Sequence, residues 1–162
     1  MDDAQLDALA GRLGERLLAA GLVAATAESC TGGWIAKTLT DIAGSSAWFD
    51  RGMVTYSNEA KRDLLGVRAE TLAAHGAVSE PTVREMVAGA LARSRAAVAF
   101  AVIGIAGPGV GTPDKPVGTV WLAWGRRDGV VRTEQCRFAG DRDAVRRQAV
   151  IRAIQGLDDL LD

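Results

Sequence analysis

The sequence predicts an α/β fold: a three-layer α/β/α sandwich around a mixed, mostly parallel sheet of about five strands. Three observations predict it. Short apolar runs alternate with segments of helical periodicity along the first hundred residues, the pattern of parallel βα units. Val98 to Ile105 is a continuous apolar run, as expected of a strand buried on both faces. Late in the chain two strand-like runs, Val117 to Gly125 and Val130 to Phe138, meet at Arg126-Arg127-Asp128-Gly129, where Asp-Gly favours a tight hairpin. The sheet should therefore be parallel at first, with one antiparallel pair late.

The elements follow in order. Leu6, Leu9, Leu13 and Leu17 have helical spacing, and Gly21 is a C-terminal stop. Residues 22–28 read as the first strand. A helix is expected from Thr31 to Ile42, closed by Ala43-Gly44-Ser45-Ser46. Trp48 to Tyr56 reads as a strand, with Met53-Val54-Thr55-Tyr56 its best part. Ser57 or Asn58 caps a short helix that runs through Leu65 and ends at Gly66. Glu70 to Ala74 forms a further turn. Ser79-Glu80-Pro81 opens a helix carrying Val83, Met86, Val87, Ala90 and Leu91. Ala106 to Pro116 holds too many helix and strand breakers for regular structure. Asp141 caps a last helix with Val150, Ile154, Leu157 and Leu161 on its buried face.

Composition narrows the function classes. The 162 residues suffice for one domain, 1–162, with a core of its own. The formal net charge of −1 gives no basic footprint for nucleic acid. No apolar run approaches the roughly 18 residues of a membrane span. The acidic start, Met1-Asp2-Asp3, is wrong for a secretory signal. Cys30 and Cys136 form no CxxC, so a reduced, cytoplasmic setting is expected. The single histidine, His75, excludes a multi-histidine metal site within one chain, and neither metal nor cofactor is expected. The alanine-rich helices allow a homodimer or higher homo-oligomer.

The chemistry is concentrated in Glu28-Ser29-Cys30-Thr31-Gly32-Gly33, where a strand ends in a hydroxyl, a thiol, a second hydroxyl and two glycines. Ser29 reads either as a helix N-cap or as a nucleophile at the carboxyl end of a strand. Cys30 reads as a small buried residue or as a rival nucleophile whose pKa a helix N-terminus would lower. Each glycine would cost about 1 kcal/mol against alanine within a helix. Close approach of a ligand to the backbone is an offsetting reason. A serine nucleophile needs a base. If the first two strands are parallel neighbours, Tyr56 and Lys61 converge with Ser29. Lys61 is then either a solvated helix lysine or a base. As a base, moving its pKa from about 10.4 to about 7.5 amounts to roughly 4 kcal/mol. The loop from Gly104 to Gly118 lies on the same sheet edge, and its N–H groups can hold an oxygen, although it matches no phosphate fingerprint. Arg142 and Arg146 open the last helix and suit an anion or simply solvent.

Six segments occur in a familiar order: Ala27 to Gly33, Tyr56 to Lys61, Gly76 to Glu80, Gly104 to Pro108, Lys115 to Val120 and Gly140 to Arg142. Together they resemble the CinA C-terminal domain family, whose stand-alone (PncC-type) members are nicotinamide mononucleotide deamidases. The resemblance covers nearly the whole chain. The larger members carry an additional N-terminal domain not seen in this sequence. It implies hydrolysis of the amide of nicotinamide mononucleotide (NMN) in pyridine nucleotide salvage, without a metal, by members that associate. It implies Ser29 as nucleophile, Lys61 as general base and Tyr56 as its helper. Cys30, Thr31, Gly32, Gly33, Gly104, Ile105, Ala106 and Gly107 would contact substrate, with Arg142 on the phosphate or ribose side. Ile103 stands where the family often has a small hydroxyl residue. A second reading is a non-catalytic nucleotide-binding or regulatory module linked to competence or the DNA damage response.

Overall fold

The structure is a computed structural model that describes residues 1–162. One five-stranded sheet holds β1 (Ala24–Glu28), β2 (Phe49–Val54), β3 (Val98–Gly104), β4 (Thr119–Arg126) and β5 (Val131–Arg137) in the order β2-β1-β3-β4-β5. β1 pairs in parallel with β2 and β3. β4 is antiparallel to β3 as well as to β5, so it alone runs against the other four strands. The sheet is mixed and mostly parallel, as the sequence predicts, and the late hairpin forms at Arg126–Val130.

Six helices flank the sheet: α1 (Asp3–Ala20), α2 (Trp34–Thr40), α3 (Asn58–Leu65), α4 (Ala69–His75), α5 (Glu80–Ala92) and α6 (Arg142–Leu160). α1, α2 and α6 cover one face, against Ala24, Val98, Phe100, Val102, Val120, Leu122 and Trp124. α5 covers the other, against Ala25, Ala27, Ala99, Ala101, Ile103 and Ala123. Alternation along each strand produces this division, because successive side chains point to opposite faces. The alanine face lets α5 sit low on the sheet. Gly89 of α5 has the Leu65 backbone directly against it, so α3 and α5 also approach closely.

Boundary differences have local causes. α2 begins at Trp34 rather than Thr31, because Gly32 and Gly33 take positive φ values of 60° and 101° and hold the chain out of the helix. β2 stops at Val54, and Thr55-Tyr56 lead into α3, whose N-cap is Ser57. The turn expected after Glu70 is the full helix α4. On α6 the inward stripe steps from Leu157 to Leu160, leaving Leu161 half-buried.

The carboxyl ends of the three parallel strands are held level. Ser29 N donates to Val102 O at 3.0 Å, and Thr55 N donates to Glu28 O at 2.8 Å. After β1 the chain crosses to β2 on one side, while β3 lies on the other. Such a reversal opens a crevice at the carboxyl edge of an α/β sheet.

Candidate active site

The crevice is a cavity of about 210 Å³ lined by Ser29, Cys30, Tyr56, Asn58, Lys61, Ala77, Val78, Ile103, Gly104, Ile105, Ala106, Gly107, Val110 and Arg142. The structure thus brings together nine of the twelve residues expected there: Ser29, Cys30, Tyr56, Lys61, Gly104, Ile105, Ala106, Gly107 and Arg142. It does not bring in Thr31, Gly32 or Gly33. These line a separate depression on the far side of the turn, with Trp34, Arg146 and Arg147.

Ser29 is 6% exposed and is not a helix cap. The N-cap of α2 is Gly33, which has no side chain to offer. Glu28 does the capping from the end of β1. Its carboxylate is wholly buried and accepts from Ile35 N and Ala36 N, each at 2.9 Å, and from Thr31 Oγ1 at 2.7 Å. A carboxylate at a helix N-terminus satisfies orphan N–H donors and complements the helix dipole. The capping carboxylate thus stands one residue before Ser29, on the strand. The positive φ at Gly32 and Gly33 gives these glycines a backbone reason, in place of room for a ligand.

Lys61 is 1% exposed, among the large fully buried side chains of the core, and not a solvated helix lysine. Its Nζ donates to Thr55 O and Tyr56 O, both at 2.9 Å, and more weakly to Ser57 O at 3.4 Å. No carboxylate pairs with it. Burial pushes its pKa below the ordinary lysine value, since water no longer stabilises the ammonium. No hydrogen bond joins Nζ to Ser29 Oγ. Such contacts are often loose before substrate binds.

Of the two readings of Cys30, the structure supports the small buried residue over the activated thiol. Burial, reinforced by the Glu28 carboxylate, raises its pKa to about 12, so it is un-ionised at neutral pH. Tyr56 is 63% exposed at the mouth. Its carbonyl holds Lys61, while its hydroxyl accepts from Arg142 NH2 at 3.1 Å, so the phenol is not a partner of the Lys61 amine. Arg142 NH1 also donates to Gly107 O at 2.8 Å, so Arg142 spans the mouth.

Residues the sequence reading did not assign complete the wall. Asn58 presents an amide at the mouth. Ala77 and Val78 lie in the Gly76–Glu80 segment, where only their apolarity marks them. Val110 projects from the Gly104–Gly118 loop with φ of 65°, an uncommon conformation for a β-branched residue. Lys115 Nζ ties that loop to α4 by donating to His75 O at 2.8 Å. No group of three or more His, Cys, Asp or Glu side chains is gathered as a metal set, and no helix is long and apolar enough to cross a membrane.

The family model for the CinA C-terminal domain matches residues 6–161. The chain belongs to the CinA C-terminal domain family. It is 60% identical over 159 residues to the nicotinamide-nucleotide amidohydrolase PncC of Escherichia coli strain K12, covering 97% of this chain and 95% of that protein. The Pseudomonas putida protein of the same name is 56% identical over 150 residues, with 92% of each chain covered. Among solved structures, the competence/damage inducible protein CihA of Agrobacterium tumefaciens superposes with a TM-score of 0.96 at 50% identity, covering 100% and 98% of the two chains. CinA relatives therefore carry two kinds of name, one for amide hydrolysis and one for competence or damage.

Proposed function

We propose that the chain hydrolyses the carboxamide of NMN to nicotinate mononucleotide and ammonia through Ser29 and Lys61. The observation that carries this reading is a buried lysine without a carboxylate partner on the wall of the same cavity as a buried serine. The amidohydrolase name of the Escherichia coli relative supports the substrate.

Lys61 in its neutral form, which burial favours, takes the proton of Ser29 as Oγ attacks the carboxamide carbon. The carbonyl electron pair moves onto oxygen. The N–H groups of Cys30 and of the 106–107 segment donate to no other protein atom and can receive that oxyanion. One such donor contributes roughly 3–4 kcal/mol in comparable sites. The intermediate collapses, the C–N bond breaks, and Lys61 returns the proton to the departing nitrogen, which leaves as ammonia. Water, deprotonated in turn by Lys61, attacks the serine ester; Lys61 returns that proton to the departing Ser29 Oγ, and the carboxylate is released. The apolar wall of Ala77, Val78 and Ile103 suits the pyridine ring. Arg142 offers a guanidinium to the phosphate at the mouth. Tyr56 helps the base through its carbonyl and walls the substrate with its ring. The same reading takes residues 1–162 as one catalytic domain acting in the cytoplasm as a homo-oligomer.

One observation favours a second reading, a nucleotide-binding regulatory module: Ser29 Oγ and Lys61 Nζ are not hydrogen-bonded. Purified protein is assayed for ammonia from NMN, alongside calorimetric binding of NMN and the Ser29→Ala variant. The hydrolase reading expects release by the wild type and at least a thousandfold loss in the variant. NMN binding without release favours the module. Full activity of Ser29→Ala refutes the serine mechanism.

A further inference from the structure

Arg146 is the one arginine of α6 whose hydrogen bonds all go to main-chain carbonyls of the turn that follows Ser29. Its Nε donates to Cys30 O at 3.0 Å and its NH2 to Thr31 O at 3.3 Å. It has no carboxylate partner, whereas its neighbour Arg147 pairs with Asp3 at 2.8 Å. Its guanidinium lies over the Trp34 ring, 5.7 Å from the centroid, and the Arg147 guanidinium lies 5.0 Å from the same ring. The indole thus fixes where Arg146 reaches the turn.

Three further main-chain N–H groups of the turn are pinned too. Ser29 N donates to Val102 O, Gly32 N to Ser29 O and Trp34 N to Thr31 O, all at 3.0 Å. The N–H groups of Cys30 and Thr31 donate to no protein atom. A peptide unit is planar and trans, so its C=O and N–H point in opposite directions. Drawing the Cys30 carbonyl toward α6 therefore turns the Thr31 N–H away from α6.

We infer that Arg146 is a positioning residue for catalysis: by holding the Cys30 and Thr31 carbonyls it fixes the Cys30–Thr31 and Thr31–Gly32 peptide units, and with them the turn that carries Ser29 and the Cys30 N–H that receives the oxyanion. The inference rests on the amide-hydrolase reading above. Arg146 faces the turn from the depression that contains Trp34 and is absent from the wall of the Ser29 cavity, so its loss should leave substrate binding in place.

Wild type, Arg146→Ala and Arg146→Lys are compared for ammonia release across NMN concentrations, with thermal unfolding of each and with guanidinium added to the alanine variant. A displacement of about 1 Å at a reacting centre can cost 100-fold. The expected result is a fall in kcat of roughly 10- to 100-fold for Arg146→Ala, with KM within about threefold of wild type. Arg146→Lys should lie between, and added guanidinium should recover part of kcat. Arg146→Lys keeps the test available should the alanine variant fail to fold. Wild-type kcat in either folded variant overturns the inference, as does a rise in KM at unchanged kcat, which would put Arg146 on the substrate. A wild type that releases no ammonia refutes the amidase reading and takes this inference with it; an active wild type with unchanged variants refutes this inference alone.

Discussion

Replacing Glu28 by glutamine should destabilise the protein by about 2–4 kcal/mol, although the side chain keeps its size. The carboxylate accepts from Thr31 Oγ1 and Ile35 N on one oxygen, and on the other from Ala36 N at 2.9 Å and weakly from Thr26 Oγ1 at 3.4 Å. Glutamine can keep the first oxygen as acceptor. Its NH2 then meets the Ala36 N–H as a second donor, and a donor left unsatisfied costs about 1–3 kcal/mol. The surviving contacts lose their ionic strengthening, about 1 kcal/mol more. Total stabilities lie near 5–15 kcal/mol, so this is a large fraction. The assay is equilibrium urea unfolding followed by tryptophan fluorescence. With m of roughly 2 kcal/mol/M, the midpoint should fall by about 1–2 M at unchanged m. The turn carrying Ser29 lies between Glu28 and α2, so kcat should fall as well. A midpoint within about 0.3 M of wild type would refute the reasoning, because the carboxylate would then not be what holds the α2 N-terminus in place.

Two further predictions follow from buried groups near the site. Activity should rise with pH along a limb whose midpoint lies below the ordinary lysine value of 10.5, because burial lowers the Lys61 pKa and only the neutral amine can accept the Ser29 proton. The unfolded chain binds that proton more tightly, so unfolding free energy should also rise with pH from the folded pKa up to 10.5. Lys61→Met should abolish the catalytic limb and flatten this part of the stability profile; a limb unchanged in position in Lys61→Met would exclude Lys61 as the base. Gly89→Ala should cost about 1–3 kcal/mol, because its Cβ would meet the Leu65 backbone, which a rotamer change cannot move aside. That corresponds to a fall in melting temperature of several degrees, with reduced activity because α3 carries Lys61. A melting temperature within about 1 °C of wild type would refute the close approach.

Legibility in the sequence differed by residue. The strand at Val98–Gly104 was readable because burial on both faces leaves an unbroken apolar run. The Ser29, Tyr56 and Lys61 segments could be placed on one edge because strand order and direction follow from the βα alternation. The interior of Lys61 was not legible, since nothing in Asn58-Glu59-Ala60-Lys61 marks which face of a short helix turns inward. Glu28 was not legible as a cap because it reaches α2 across the turn from a strand, outside any local capping pattern. The family resemblance implies that Thr31, Gly32 and Gly33 contact substrate beside Ser29. Two successive positive φ values carry them to the other side of the turn, which no spacing rule reports. Arg146 could be read only as charge, because its carbonyl partners lie more than a hundred residues away.

The three carbonyls around Lys61 have an arithmetical consequence. An ammonium carries three N–H donors, one for each of Thr55 O, Tyr56 O and Ser57 O. A neutral amine carries two, and its lone pair cannot face an oxygen. Losing the proton therefore obliges the amine to release one carbonyl, and the 3.4 Å contact to Ser57 O is the weakest of the three. Deprotonation and rotation of the amine are a single event, so Lys61 can aim its lone pair at Ser29 only in the protonation state in which that lone pair exists.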